Sequence, residues 1–399
     1  MKENPLITDA LQKSNSWPQT AAYFAALAAF GAMVASWGPV LPFIAAQTQT
    51  EIGSMGMVFS ARAVGVFFGS LLGGRIYDSV PGHLLLGGAL LVLAATLFLV
   101  PLLDVLWLLL LLIWIMGLAA GMVISGSNTL LMWVHPVITT AWINAMNLSN
   151  AIGSFLAPIL ITAFLTATGE IVLSFRLLAF LVGAVGVYTL FVSSPPICKE
   201  KNESKEGGPV RFGKLFPFAL VFLLYVSAEV SFGGWLYTYT ISLHPSAVTG
   251  AGLLTSAFWA SIAVGRLFAV PLSIRMRSRM ILLIDFLGAL ISLIVILTMS
   301  SSLVALWVGT IGFGLFMASI FPTWMAFSGR RVKITGRVSG IFYAATAVGA
   351  MTFPLICGWA FDASGPQATM GVIFSALLGA AGIYAVIRIS SGRKNERSD

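Results

Sequence analysis

The chain has 399 residues, of which 58% are hydrophobic and only 9% charged, with a mean hydropathy of +0.95. Soluble domains carry about 25% charged residues, so there is too little charge to cover a water-facing surface. This excludes a soluble enzyme, a disordered protein, a coiled coil and a nucleic-acid-binding domain, and the chain reads as an all-α polytopic membrane protein. Its first residues, MKENPLITDALQKSNSWPQT, lack the apolar core and small-residue cleavage site of a signal peptide and read as a soluble tail. Apolar runs follow near 20–46, 53–77, 84–103, 106–131, 140–167 and 171–194, then 216–243, 249–273, 280–300, 303–326, 338–361 and 367–389. Each is long enough to cross ~30 Å of hydrocarbon, which gives about twelve transmembrane helices.

Between the sixth and seventh runs lies ICKEKNESKEGGPVRFGKLFP, Ile197 to Pro217, whose mixed charges and Gly-Gly-Pro mark a flexible linker. The expected organisation is a cytoplasmic tail over 1–19, a six-helix bundle over 20–196, a cytoplasmic linker over 197–215, a second bundle over 216–389 and a tail over 390–399. Charge sets the orientation. With the N-terminus inside, the outer connections around Glu51, Asp104, Glu170, His244, Ser301 and Asp362 contain no Lys or Arg. Of 22 basic residues, Arg62, Arg75, Arg176 and Arg266 lie within or at the edge of helices, and the remaining 18 (22 minus 4) fall on the cytoplasmic side. Both termini are therefore expected in the cytoplasm, and the net charge of +8 is topological, with contact to anionic lipid headgroups accompanying it. The two cysteines, Cys198 and Cys357, have no neighbour at ligand spacing, which argues against a zinc site and a structural disulfide.

The halves repeat. Gly74-Arg75 at the end of the second run matches Gly265-Arg266 toward the end of the eighth, and Gly153-Ser-Phe-Leu-Ala-Pro158 in the fifth matches Gly349-Ala-Met-Thr-Phe-Pro354 in the eleventh. Parallel six-helix repeats joined by a cytoplasmic linker imply a rocking, alternating-access carrier with its site at the midplane between the halves.

GGRIYDSVPGH (Gly73–His83) resembles the cytoplasmic loop motif of the major facilitator superfamily, with an extra residue before Gly82 and no basic residue after Asp78. Together with YVSAEVSFGGWLYTYT (Tyr225–Thr240), MASIFPTWMAF (Met317–Phe327) and the stretch from Trp142 to Pro158, it resembles the fucose-permease-like and sodium-dependent-glucose-transporter-like branch over nearly the whole chain. That resemblance implies uptake of sugars or related small polar solutes driven by protons or sodium. Members of the branch often carry an acidic residue in helix four, where this chain has Ile124 or Ser125, and a histidine in helix five, where it has Asn147. A proton relay through those groups would be reduced here.

Glu229 is the only acidic residue near the centre of a span. An ionised carboxylate there costs at least a few kcal/mol, so it must be paired, protonated or exposed to a water-filled cavity. It is a candidate for coupling or solute contact; the bland alternative is a structural ion pair. Arg62, deep in the second span, is its expected cation by depth. Arg176 reads as snorkelling, and Asp285 as a cytoplasmic ion pair with Arg279 and Arg275. Arg75, Asp78 and Arg266 read as securing a cytoplasmic gate.

Asn144, Asn147 and Asn150 fall within a 120° stripe of one helix, which either lines a solute cavity or bonds neighbouring helices; Asn128 invites the same two readings. Trp37, Trp235, Tyr239 and Trp324 suit the apolar face of a sugar ring, against the alternative that they fill space or form an interfacial belt. Gly208–Lys214 has P-loop spacing, but Leu215 replaces the required Ser or Thr; Gly309–Gly314 lies inside a span; the Asn202 sequon is on the cytoplasmic linker; and His83, His135 and His244 are scattered over loops.

The leading expectation is a secondary carrier of a small polar solute, a sugar, coupled to H⁺ or Na⁺, with no metal and no other cofactor, acting as a monomer in a bacterial inner membrane. The alternatives are an exporter of amphiphilic compounds, and a non-transporting receptor or membrane-embedded enzyme. Drug antiporters of the superfamily usually carry Gly-Pro in helix five, whereas four residues separate Gly153 from Pro158. No large loop or catalytic cluster supports a receptor or an enzyme.

Overall fold

A computed structural model describes residues 16–135, 139–196, 212–332 and 336–395. Most of the predicted linker and the distal ends of both tails lie outside these residues. The described residues form helices and no strand, as an apolar chain must in lipid, where each backbone polar group has to be satisfied within its own segment. The helices are α1 (Trp17–Gln47), α2 (Gly56–Ile76, after a 3-10 turn Ile52–Met55), α3 (Gly82–Leu99), α4 (Leu106–Val134), α5 (Thr139–Thr168) and α6 (Ile171–Phe191). Then come α7 (Phe212–Leu243), α8 (Val248–Arg275), α9 (Ser278–Thr298), α10 (Leu303–Met317), α11 (Ile320–Gly329), α12 (Gly336–Ser364) and α13 (Pro366–Asn395). Among the described residues twelve spans are long and apolar enough to cross a membrane.

The tenth span is not the single helix its apolar run suggests. It breaks at Ala318 and Ser319, between α10 and α11. Pro322, in the first turn of α11, explains the position: it has no N–H to donate to the carbonyl of residue 318, four positions back, and its ring crowds that oxygen. The eighth helix, by contrast, continues to Arg275, so Arg266 stands well inside it and not near its end.

Two compact units form. One takes the described residues of Met1–Ser36 and Ala61–Lys201, the other Trp37–Ser60 and those of Asn202–Asp399. In the first, α3 packs on α4 and α6; in the second, α12 and α13 pack on α7, and α10 packs on α8 and α9. Within the second unit, the segment Trp37–Ser60 lies along α12. The Gly53 N–H donates to Asp362 Oδ1 at 2.7 Å, and Ser60 Oγ donates to the Met351 carbonyl at 2.5 Å. Gly56 between them abuts the backbone of Pro354 and Leu355.

The repeat noticed in the sequence recurs in the packing inside each unit. Gly153 on α5 lies against the Ala28 carbonyl of α1, and Gly349 on α12 lies against the Leu223 carbonyl of α7. Gly169 (φ 72°) after α5 and Gly365 (φ 82°) after α12 both adopt the left-handed conformation. Each donates its N–H four residues back, to Leu165 at 2.9 Å and to Phe361 at 2.8 Å, which is the glycine helix stop. The offsets 349−153 and 365−169 are both 196.

Candidate functional site

In the first unit the amide face of α5 is only partly covered: Asn144 is exposed, Asn147 and Asn150 half-buried. Asn150 lies beside Gly31 of α1 through its backbone and amide oxygens. Asn128, also half-buried, donates its amide to the Ile124 carbonyl of its own helix at 2.8 Å. Arg62 is 8% exposed in α2. Arg75 and Asp78 are exposed at the end of α2, and the intervening Tyr77 is buried with its hydroxyl on the Met122 carbonyl at 3.2 Å.

Two histidines read as scattered loop residues turn out to be packing centres. His83 opens α3 buried, its Nε2 2.8 Å from the Tyr23 hydroxyl and its Nδ1 2.8 Å from the Val192 carbonyl. The carbonyl only accepts, so Nδ1 carries a hydrogen and donates to it; in the neutral ring Nε2 then accepts from the Tyr23 hydroxyl. His135, just beyond α4, stacks on Trp142 at 4.3 Å and lies 2.8 Å from Thr20 Oγ1. Burial pushes its pKa down from the ordinary histidine value.

In the second unit Glu229 stands in α7 with its side chain 14% exposed. Within this unit the cation beside it is Arg266 of α8, at 3.9 Å and 43% exposed. The hairpin explains the meeting. Glu229 lies 14 residues before the end of α7 (243−229), and Arg266 lies 18 residues into α8 (266−248). The difference of four residues is about 6 Å of helix rise, within reach of an arginine side chain. One turn before Glu229, on the same face, the Tyr225 phenol lies close enough to interact with the carboxylate and donates to the Met317 carbonyl at 3.1 Å. That carbonyl ends α10 at the break. Ser319, inside the break, donates to Asp285 of α9. Asp285 therefore sits in the bundle with a hydroxyl partner and not in an arginine pair at the surface; Arg275, Arg277 and Arg279 are all exposed.

The four aromatic candidates are at most 1% exposed. Trp235 Nε1 donates to the Pro354 carbonyl and Trp324 Nε1 to the Phe218 carbonyl, each at 3.1 Å, while the Tyr239 hydroxyl lies 3.5 Å from the Ile296 carbonyl. Those three have their polar atoms engaged, and the Trp235 and Trp324 rings stack on Phe361 and Phe327. Trp37 differs. Its indole N–H is buried and has no partner among the described residues, and the same holds for Trp259 Nε1, Thr238 Oγ1 and Ser256 Oγ. Trp37 adjoins Gly38 of α1, which meets Gly233 and Gly234 of α7 and the side chain of Thr255, the neighbour of Ser256; the Trp259 ring meets Gly233, and Thr238 follows one turn further along α7. Buried polar groups are ordinarily hydrogen-bonded, so open donors and hydroxyls along one helix crossing are suited to a polyhydroxy ligand. Sequence reasoning missed Thr238, Ser256 and Trp259, because a hydroxyl or indole in a helix carries no pattern that tells a free donor from a bonded one. Among the described residues no three His, Cys, Asp or Glu side chains gather where they could hold a metal ion.

The family model described as Major Facilitator Superfamily matches residues 23–251, more than half of the chain. The chain belongs to the major facilitator superfamily. Among its relatives, "Sodium-dependent glucose transporter 1" of Xenopus laevis is 27% identical over 357 residues, covering 82% of this chain and 72% of that protein. Among solved structures, the D-xylose-proton symporter matches with a TM-score of 0.75 at 13% identity, over 92% of this chain and 97% of its own. The nucleoside transporter NupG matches with a TM-score of 0.74 at 16% identity, over 93% of this chain and 98% of its own. At those identities the structural likeness shows the fold. This superfamily member is a transporter and not an enzyme, with homologues named as glucose carriers.

Proposed function

We propose that the protein carries a small polar solute, a sugar, by alternating access coupled to H⁺ or Na⁺. The observation that carries this reading is the group of buried, unpartnered donors and hydroxyls around the Gly38–Gly233 crossing: Trp37, Thr238, Ser256 and Trp259. Sugars present hydroxyls that both donate and accept, together with an apolar ring face for which Trp235, Tyr239 and Trp324 supply flat surfaces. The relatives named sodium-dependent glucose transporter point the same way. The residues proposed for solute contact are Asn128, Asn144, Asn147, Asn150, Trp37, Glu229, Trp235, Tyr239 and Trp324. Coupling is assigned to Glu229 and Arg62, and the cytoplasmic gate to Arg75, Asp78 and Arg266. The contact of Arg266 with Glu229 would tie the gate to the coupling group.

The organisation proposed is two six-helix halves, 20–196 and 216–389, with a linker (197–215) and tails (1–19 and 390–399) in the cytoplasm of a bacterial inner membrane, the monomer being the working unit in lipid. The one-sided placement of Lys and Arg supports this orientation. A cysteine introduced after Asp104 is expected to react with a membrane-impermeant reagent from outside, and one within 199–214 only after the membrane is opened. The reverse pattern overturns the orientation.

Solute class is tested by thermal-shift screening of the purified protein against sugars, polyols and nucleosides. A ligand that binds the folded state alone raises the midpoint, by about 2.7 kcal/mol of stabilisation at a hundredfold excess over Kd. Shifts with nucleosides and none with sugars would refute the sugar assignment. Replacing Asn147 with Leu is expected to weaken that shift about tenfold or more in apparent affinity, the loss of one or two hydrogen bonds to a polar ligand, with yield near normal. Loss of folded protein with normal transport in what remains would make Asn147 an interhelical bond instead.

A further inference from the structure

The buried carboxyl of Asp285 belongs to none of the roles assigned above. It lies seven residues into α9 (285−278), about 10 Å along the helix, at 6% exposure. Its Oδ2 accepts from Ser319 Oγ, and Ser319 is itself 5% exposed inside the α10–α11 break. Among the described residues no cation stands at ion-pair distance from it: Arg266 is with Glu229, and Arg275, Arg277 and Arg279 are exposed.

The ionisable and charged groups on the surrounding elements are few. α10 and α11 contribute only the Ser319 hydroxyl at their junction, with Arg330 and Arg331 directly after α11, the latter close to the Tyr384 phenol. α8 contributes Arg266 and Arg275, and α7 contributes Tyr225 and Glu229 at longer range. α13 contributes Tyr384, whose hydroxyl donates to the Arg279 carbonyl at 2.5 Å, and Arg388, which is close to that phenol. An ionised carboxylate in a bilayer interior needs a cation or several donors, and one hydroxyl is neither. The neutral acid needs only what is present.

We propose that Asp285 is a proton-binding site inside the second unit, holding a proton while α10 and α11 keep this bend and releasing it when the Ser319 contact opens to water. In release the carboxyl O–H bond breaks, the proton passes to water and the carboxylate remains; nothing is oxidised or reduced. The bend is the natural control point. Pro322 removes the hydrogen bond to the 318 carbonyl, the Met317 carbonyl is held by Tyr225, and Tyr225 is one turn from Glu229 on α7. Movement of the break therefore changes the partner of Asp285 and the neighbour of Glu229 together. Only the transport role of this proton rests on the coupled-carrier reading; its presence does not.

The test is infrared spectroscopy of the purified full-length protein, following the carbonyl stretch of protonated carboxylic acid in ordinary and heavy water. Wild type and E229Q are expected to show the band at neutral pH, and D285N to lack it. Absence from wild type, or full retention in D285N, overturns the proposal. Should D285N not fold, S319A answers the same question, because loss of the hydroxyl must move the band in folded protein; an unmoved band overturns the proposal. Transport that proves independent of any ion gradient, with the band lost in D285N, removes the coupling reading and leaves the proton site standing.

Discussion

Replacing Glu229 with Gln is expected to abolish gradient-driven accumulation of solute, so that the internal concentration only equals the external one, while exchange across proteoliposomes survives in part. The glutamine keeps the size and hydrogen bonding of the side chain and removes its charge. Two magnitudes separate this effect from a loss of fold. The ion pair with Arg266 is long, at 3.9 Å, and Arg266 is 43% exposed, so the pair is worth no more than ~1 kcal/mol of stability. The thermal midpoint should therefore hardly move. Coupling, by contrast, needs an ion whose affinity differs between two conformations, and a carboxylate that exchanges partners supplies that difference. Accumulation equal to wild type in E229Q would make Glu229 structural, and a fall in binding alone would make it a solute ligand.

The second large effect is on folding. Substituting Gly153 or Gly349 with Leu is expected to destabilise the protein severely, by about 3 kcal/mol or more, the upper range for overpacked cores. At both positions a Cβ would collide with a backbone carbonyl, of Ala28 and of Leu223 respectively, and at Gly349 with the Ser227 hydroxyl as well; the backbone at either site cannot yield. Gly340 and Gly371 face open space in α12 and α13, and alanine at either should be neutral or slightly stabilising, as helix propensity dictates. Thermal midpoints of the four variants in one detergent decide the matter. Equal midpoints across all four would mean that the matched glycines are a coincidence of composition.

Much of the fold was legible because lipid leaves the backbone few options. The apolar runs at 84–103 and 171–194 became α3 and α6 with ends moved by only a few residues. Matching Gly153 to Gly349 located equivalent helix contacts, since only glycine permits such backbone approach. Pro322 stood in plain view, yet reading it as a break requires attending to the carbonyl four residues back instead of to the apolar run around it. Arg266 beside Glu229 was not anticipated, because matching charges by depth passes over helix neighbours. Counting from the α7–α8 turn gives Arg266 at once. Asp285 was assigned to nearby arginines because sequence distance along a helix says nothing of azimuth, and its side chain points inward to Ser319 while Arg275, Arg277 and Arg279 are exposed. His83 went unrecognised for the same reason, its partners Tyr23 and Val192 lying 60 and 109 residues away.

The most direct test of the central claim is uptake of radiolabelled hexose into proteoliposomes containing the purified full-length protein, with an imposed proton or sodium gradient. The account predicts accumulation above the external concentration under one of the two gradients, collapse on adding the matching ionophore, and competition by unlabelled sugar. Uptake no greater than in protein-free vesicles under either gradient, for hexoses, pentoses and polyols alike, would contradict it.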